Sequence, residues 1–178
     1  MKESPVEEHT RVGNDYPNWK HTAQELFAAS DILKRERERV EPTLRPDPAP
    51  LEILTSWTEL MLAAFGIECL IKAIWLTQGH QLARNGKYVG MMEKEGHRLE
   101  KLCRKAGIVL NEHEEEVLTR ISNIAGSIGR YPIPSRAPQT TDALWWSSPV
   151  DDDIIENLIV RLKIELRKYE NAKARKKT

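Results

Sequence analysis

The sequence predicts an all-α protein, an up-and-down bundle of four to five helices around a central hydrophobic helix. The central helix is expected over residues 51–79, where apolar side chains recur at spacings of three and four residues and cover most of the helical circumference. A helix that is apolar nearly all round must be enclosed by other helices or by lipid. Glu68 and Lys72 interrupt the apolar run, and charges at the centre of a bilayer are costly. We therefore expect a buried core helix and no membrane contact.

The composition favours a single cytoplasmic domain. The chain has 178 residues, which suits one domain, and its 27 Lys and Arg side chains balance its 27 Asp and Glu side chains. A chain without net charge has no global field that would hold it on nucleic acid or an anionic membrane. The N-terminus lacks the apolar segment of a secretory signal. Cys69 and Cys103 fall on apolar helical faces, which is typical of buried free thiols in a reducing compartment.

The first half of the chain predicts one helix before the central one. Residues 1–15 lack periodicity and are expected to form a flexible arm. Apolar spacing then begins at Trp19 and predicts a helix that ends before Pro42. Four prolines make residues 42–50 a stiff connector, since proline cannot donate a helical hydrogen bond. Gly66 interrupts the central helix, and we expect a neighbouring helix to approach closely there.

Two further helices follow the central one. The first is expected over residues 97–106, with Gly107 as its left-handed stop. The second begins with Asn111 as N-cap and Glu114 in the position of a capping box. It ends where residues 129–149 form a long loop with four prolines, and loops of this length are often functional.

The final helix is predicted from Pro149 onward, with acidic side chains in its first turn and a broad apolar stripe. Val160 and Ile164 form a second, smaller stripe on the opposite side. This stripe indicates either a surface for a second copy of the chain or ordinary isolated exposed side chains. We expect the bundle to span residues 16–171 and residues 172–178 to form a basic tail.

Motifs for phosphate cradles and metal sites are missing from the sequence. The glycines after the central helix match neither a P-loop nor a dinucleotide fingerprint. The histidines and cysteines lack the spacing of metal ligands, so we predict no metal and no cofactor. Residues 80–106 carry seven Lys or Arg against three Glu, which makes this segment the best candidate for an anion-attracting patch.

Charged groups near the core are the candidate functional residues. Glu68 and Lys72 form an i,i+4 pair with the acid first. The pair is either a satisfied ion pair at the edge of the core or part of a cleft, since partly buried charges collect at functional sites. Arg130 and Tyr131 stand where a core helix breaks into a loop, a place that directs side chains into clefts. A capping or loop-anchoring role fits those two residues equally well.

At these residues the sequence resembles the HEPN superfamily. That family's Glu-x-x-x-Lys core helix is similar to AFGIECLIKAIWL around Glu68, and its Gly-His-Asp-Leu-x-x-Leu segment is similar to GHRLEKL at residues 96–102. The segment GRYP at residues 129–132 is the third similar segment, and the three segments occur in the same order as in that family. The resemblance implies an all-α bundle, often homodimeric, found in toxin-antitoxin and phage-defence systems as an RNA-cleaving or nucleotide-binding module. It also implies an antitoxin or a nucleotidyltransferase as a protein partner.

The function expected from this resemblance is a binding or regulatory module for RNA, a nucleotide or a partner protein. In this hypothesis Glu68, Lys72, His97, Arg130 and Tyr131 surround one cleft. Arg130 and Lys72 would meet phosphate, and Tyr131 would contact a base or a sugar.

Two alternatives stay open. The first is a metal-independent endoribonuclease that uses Arg130 and His97. Catalytic members of the family carry an arginine followed after four to six residues by a histidine, and no arginine here precedes a histidine at that spacing. RNA cleavage through the 2′-hydroxyl needs a general base, which is usually histidine near neutral pH. The second alternative is a purely structural dimer without a ligand.

Overall fold

The computed structural model describes residues 3–40, 50–92, 97–128 and 149–175. These ranges contain six α-helices, a π-helical segment and a two-stranded hairpin. The elements are α1 (Pro5–Gly13), α2 (Tyr16–Val40), α3 (Pro50–Thr77), β1 (Ala83–Arg84), β2 (Lys87–Tyr88), α4 (Leu99–Lys105), α5 (Glu112–Asn123), the π-helical segment (Ile124–Ile128) and α6 (Pro149–Arg175). The all-α class and the central apolar helix are confirmed, with one α-helix more than expected among the described residues.

Helix α3 forms the centre of the core. Ile67, Ile71 and Ile74 on its predicted stripe have no solvent exposure. Helices α2, α4, α5 and α6 and the π-helical segment all pack against α3. The stretch Trp57–Thr77 is long and apolar enough to cross a membrane, yet 72% of its most apolar window is buried inside the protein. Neighbouring helices therefore provide the enclosure that its apolar surface requires.

Helix α2 crosses α3 at Gly66, as predicted. A Cβ atom on Gly66 would lie 2.5 Å from Cε1 and 2.7 Å from Cδ1 of Phe27 on α2. Further along the same contact, the Ser30 hydroxyl donates a hydrogen bond to the Glu59 carbonyl oxygen at 2.9 Å. The missing side chain of Gly66 thus makes room for an aromatic ring between the two helices.

Ion pairs join α2 to both α3 and α6. The Arg37 guanidinium on α2 donates to Glu59 on α3 at 2.9 Å and to Asp152 on α6 at 3.3 Å. Lys34 on α2 contacts Glu156 on α6 at 2.5 Å. Burial raises the pKa of the Glu59 carboxyl, although the charge and hydrogen bonds of Arg37 oppose that shift. Arg37 therefore neutralises an acid that would otherwise be costly to bury.

The capping signals of the second half are also confirmed. Gly107 follows α4 with a φ of 72°. Asn111 and Glu114 form a reciprocal capping box at the start of α5. Helix α6 buries Leu158 and Leu162 of its predicted stripe. It continues to Arg175, so the first part of the expected basic tail is helical.

Helix α1 corrects the expectation of a flexible arm over residues 1–15. The Ser4 hydroxyl accepts a hydrogen bond from the Glu7 amide at 3.3 Å, and the Glu7 carboxylate accepts one from the Ser4 amide at 2.9 Å. This capping box satisfies amide groups that a helix start leaves open. None of the residues of α1 is buried. Its large apolar side chains are only Val6 and Val12, which is too few for the spacing argument to detect a helix.

A hairpin forms in a segment where no regular structure was expected. Asn85 and Gly86 have φ values of 50° and 71°. Positive φ at both central residues is the signature of a type I′ turn, which matches the twist of a two-residue hairpin. Ala83 pairs with Tyr88 across the two strands.

Asn14 ties this hairpin to the junction of α1 and α2. Its side-chain amide donates to the Ala83 carbonyl at 2.8 Å, and its side-chain oxygen accepts from the Leu82 amide at 2.7 Å. The Gly86 amide donates to the Thr10 hydroxyl at 2.9 Å. The N-terminal helix and the hairpin therefore form one hydrogen-bonded unit beside α3.

We predict that Gly66→Ala lowers the free energy of unfolding by about 1 kcal/mol, measured by guanidinium denaturation. Alanine in a helix gains about 1 kcal/mol over glycine, but overpacking against Phe27 costs about 1–3 kcal/mol. Gly126→Ala is the matched control, because a Cβ there meets nothing within 4 Å. A Gly66→Ala protein as stable as the wild type would refute the tight crossing.

Candidate functional site

Three of the five predicted site residues lie together. Glu68 and Lys72 stand one turn apart on α3, and His97 lies two residues before α4. The Lys72 ammonium donates to Oε1 of Glu68, and Nδ1 of His97 is 2.6 Å from Oε2 of the same carboxylate. Glu68 and Lys72 are 7% and 8% exposed, whereas the His97 side chain is 33% exposed. Arg130 and Tyr131 lie outside the described residues.

We call Glu68, Lys72 and His97 the Glu68 cluster. Two features of the sequence bring its residues together. The i,i+4 spacing places the acid and the lysine on the same face of α3. The amide of Leu99, at the start of α4, donates to the Ser122 hydroxyl of α5 at 3.0 Å, an anchor between two helices that both pack against α3. This anchor holds the histidine next to the buried carboxylate.

Two aromatic rings enclose the Lys72 ammonium. Its Nζ atom is 4.9 Å from the ring centre of Trp19 and 5.3 Å from that of Tyr88. The Trp19 indole is held in turn by a hydrogen bond of 2.9 Å to the Gly13 carbonyl. Burial lowers the pKa of Lys72, but the charge of Glu68, its hydrogen bond and that of Tyr88 together raise the pKa above its usual value of 10.5. The ammonium is therefore charged at physiological pH.

Phe65 and Glu68 both help to orient the His97 ring. The edge of the ring meets Phe65, with ring centres 5.2 Å apart and planes at 69°. An ionised carboxylate only accepts hydrogen bonds, so Nδ1 must carry a proton toward Glu68. In the neutral ring Nε2 is then the basic nitrogen. This arrangement suits either a general base or an oriented hydrogen-bonding group.

The sequence argument missed the aromatic side of the site. Of these side chains only Trp19 was named from the sequence, as the start of a helix, whereas Phe65 and Tyr88 were not singled out. The dipeptide Asn85–Gly86 is a strong hairpin signal and identifies the element that carries Tyr88. No local signal places Trp19 beside Lys72, because that contact joins residues distant in sequence.

Among the surface cavities lined by described residues, two lie away from the Glu68 cluster. One, of about 700 Å³, lies between α1 and the hairpin turn at Asn85. The other, of about 340 Å³, lies between α2 and α6 beside Val160. Charged side chains at the second cavity, such as Lys34, already form ion pairs. The cluster is therefore the better candidate for chemistry.

The cysteines belong to the core. Burial raises the pKa of the Cys69 thiol to about 11 and that of Cys103 to about 12. Both thiols are neutral at physiological pH, and a neutral thiol is a poor nucleophile and a poor metal ligand. The described part of the chain contains no group of three or more His, Cys, Asp or Glu side chains that could hold a metal ion.

Comparison of the chain with protein-family models, curated proteins and solved structures found no match. The resemblance to the HEPN superfamily therefore depends on the three segments quoted above. The described structure includes the core helix with Glu68 and Lys72, and the second segment from His97 onward. The segment at residues 129–132 lies outside it.

We predict that Lys72→Met lowers the free energy of unfolding by about 3 kcal/mol, because it leaves the buried Glu68 carboxylate without its cation. Adding Glu68→Leu should restore most of that loss, since an apolar pair is often as stable as a buried ion pair. Lys168→Met, at an exposed pair with Glu165, is the matched control and should change stability by less than about 0.5 kcal/mol.

Guanidinium denaturation of the wild type, both single variants and the double variant measures the coupling. Because the Lys72 pKa is raised, the stabilisation is complete below pH 10.5 and is lost as the pH rises through the raised value. Strictly additive single effects would contradict the paired arrangement.

Proposed function

We propose that the protein is an RNA- or nucleotide-binding module of the HEPN-like type, from a prokaryotic defence or toxin-antitoxin system. The observation that carries this proposal is the His97 imidazole, held by Glu68 at 2.6 Å and kept 33% exposed. A histidine that only fills space in a core does not need a carboxylate to orient its ring. An oriented ring at the surface is suited to bind a phosphate oxygen or a ribose hydroxyl.

The enclosure of Lys72 changes its expected role. Its ammonium is surrounded by Glu68, Trp19 and Tyr88, and the residue is 8% exposed. An ammonium held in this way would have to leave its partners before it could bind a phosphate. We therefore infer that Lys72 balances the charge of the buried Glu68 carboxylate and leaves the contact with phosphate to other cations, with Arg130 as the candidate.

The same geometry favours the endoribonuclease as a second candidate. The Glu68–His97 pair is the carboxylate–imidazole arrangement that orients a general base. In this reading Nε2 of His97 removes the proton of a 2′-hydroxyl, and the 2′-oxygen bonds to the adjacent phosphorus. The bond from phosphorus to the 5′-oxygen breaks, and that oxygen takes a proton from water. Arg130 would balance the charge that develops on the phosphate.

A homodimer forms part of the proposal. Val160 and Ile164 are 55% and 48% exposed on α6, on the side opposite its buried stripe. An apolar pair on an exposed helical face is suited to pack against its copy in a symmetric dimer. An antitoxin or a nucleotidyltransferase is the protein partner that the HEPN resemblance suggests.

RNA cleavage and RNA binding by the purified protein in EDTA separate the candidates. For an endoribonuclease, His97→Ala should lower the cleavage rate by about 10²–10⁴-fold, the usual contribution of a general base. Arg130→Ala should also abolish most cleavage. His113→Ala removes an exposed histidine on α5 and is the matched control that should keep wild-type activity.

For a binding module, the wild type cleaves nothing and binds labelled RNA or nucleotide, and His97→Ala weakens that binding while His113→Ala does not. A wild-type protein that neither cleaves nor binds RNA or nucleotides refutes both candidates. That result leaves a structural dimer, in which Lys72→Ala and Arg130→Ala change only the melting temperature.

A further inference from the structure

We propose that Tyr88 is a stacking platform for an unpaired base, so that the ligand of the site is single-stranded RNA. This inference rests on the proposed function and names its ligand class. The Tyr88 residue is 50% exposed, although its ring is part of the wall around Lys72. An exposed and fixed aromatic ring beside a polar centre is the feature that single-strand binding proteins use to hold bases.

The backbone of Tyr88 is held rigidly. Tyr88 pairs with Ala83, which has no solvent exposure. The Val89 amide donates to the Leu82 carbonyl at 2.8 Å directly after the strand. The type I′ turn fixes the other end of the hairpin. A ring mounted in this way loses little conformational entropy when a base stacks on it. The entropy cost that opposes binding is therefore small.

The inner contacts of the Tyr88 ring are also defined. The ring centre lies 6.1 Å from that of Trp19, with the planes at 33°, and the Lys72 ammonium lies 5.3 Å from the Tyr88 ring centre. Both neighbours belong to helices of the core. The protein therefore fixes the ring from within and leaves half of the residue open to solvent.

The charge of the hairpin favours a polyanion. Arg84 and Lys87 are exposed on its two strands. Residues 79–92 contain no Asp or Glu. Two cations beside an exposed ring provide the combination of backbone attraction and base stacking that binds single strands without a fixed sequence.

Tyr88 and His97 contact the two members of one ion pair, Lys72 and Glu68. Lys72 contacts the tyrosine ring and donates to one oxygen of Glu68, and the other oxygen of Glu68 binds His97. The tyrosine ring therefore contacts the lysine of the pair, and the imidazole contacts its carboxylate. We infer that a base on Tyr88 directs its own sugar and phosphate, or those of a neighbour, toward the imidazole.

Fluorescence anisotropy with a labelled single-stranded RNA and its duplex tests this inference. Tyr88→Leu keeps apolar bulk but removes the aromatic face, and should weaken single-strand binding about tenfold, since stacking is worth roughly 1–3 kcal/mol per base. Tyr88→Phe should bind within about twofold of the wild type, because it keeps the ring that stacks and removes only the hydroxyl that bonds to Lys72. Val89→Ala alters the neighbouring exposed side chain and is the matched control. Thermal melting shows whether each variant remains folded.

Salt dependence separates stacking from charge. Lys87→Ala should reduce the slope of log Kd against log salt by about 0.7, the share of one single-strand phosphate contact. Tyr88→Phe and Tyr88→Leu should keep the wild-type slope. The inference is wrong if Tyr88→Leu binds single strands as tightly as the wild type, or if the duplex binds as well as the single strand. A wild type that binds nucleotides but no RNA refutes this inference alone, whereas a wild type that neither cleaves nor binds RNA or nucleotides refutes the proposed function as well.

Discussion

A carboxylate buried in an apolar helix is the constraint on which the site depends. Glu68 lies on the helix that forms the centre of the core, and both of its oxygens have partners. An unpaired charge at that depth would cost several kcal/mol or lose its ionisation. Lys72 supplies the balancing charge from the next turn, and His97 supplies the second hydrogen bond from another element. The protein thus holds a carboxylate with a partner at each oxygen inside a bundle whose other central side chains are mostly apolar.

The surrounding elements act on the site through this pair. The ammonium of Lys72 needs a low-polarity enclosure that still favours a cation, and the rings of Trp19 and Tyr88 provide it. Trp19 is held by the junction of α1 and α2, and Tyr88 by the hairpin that Asn14 ties to that junction. Helix α1 buries none of its own residues. Its contribution is to position the hairpin and the indole around the ion pair.

The contact of α2 with α3 around Gly66 and Glu59 differs from their contact around Lys72. At Gly66 the two helices are close because an aromatic ring occupies the space of a side chain. Further along, Arg37 neutralises Glu59 and reaches α6. Packing and charge neutralisation there join helices and leave few polar groups without partners. The Glu68 cluster differs because its histidine is partly open to solvent.

The elements that the sequence predicted are those with a local or periodic signal. The core helix follows from apolar spacing, the crossing from Gly66, and the start of α5 from the Asn111 capping box. The pairing of Glu68 with Lys72 follows from their separation by one turn. Periodicity missed α1, because this short helix has only two large apolar side chains, and it missed the hairpin, whose strands have only two residues each. The enclosure of Lys72 joins residues far apart in the chain, and no spacing rule contains that information.

The tautomer of His97 tests the central claim most directly. Nitrogen-15 NMR of the imidazole distinguishes a proton on Nδ1 from a proton on Nε2 in the folded protein. A ring that donates to an ionised Glu68 must have its proton on Nδ1 when neutral, or protons on both nitrogens when charged. A neutral ring with its proton on Nε2 and a bare Nδ1 would contradict the account, because that nitrogen cannot bind a carboxylate at 2.6 Å.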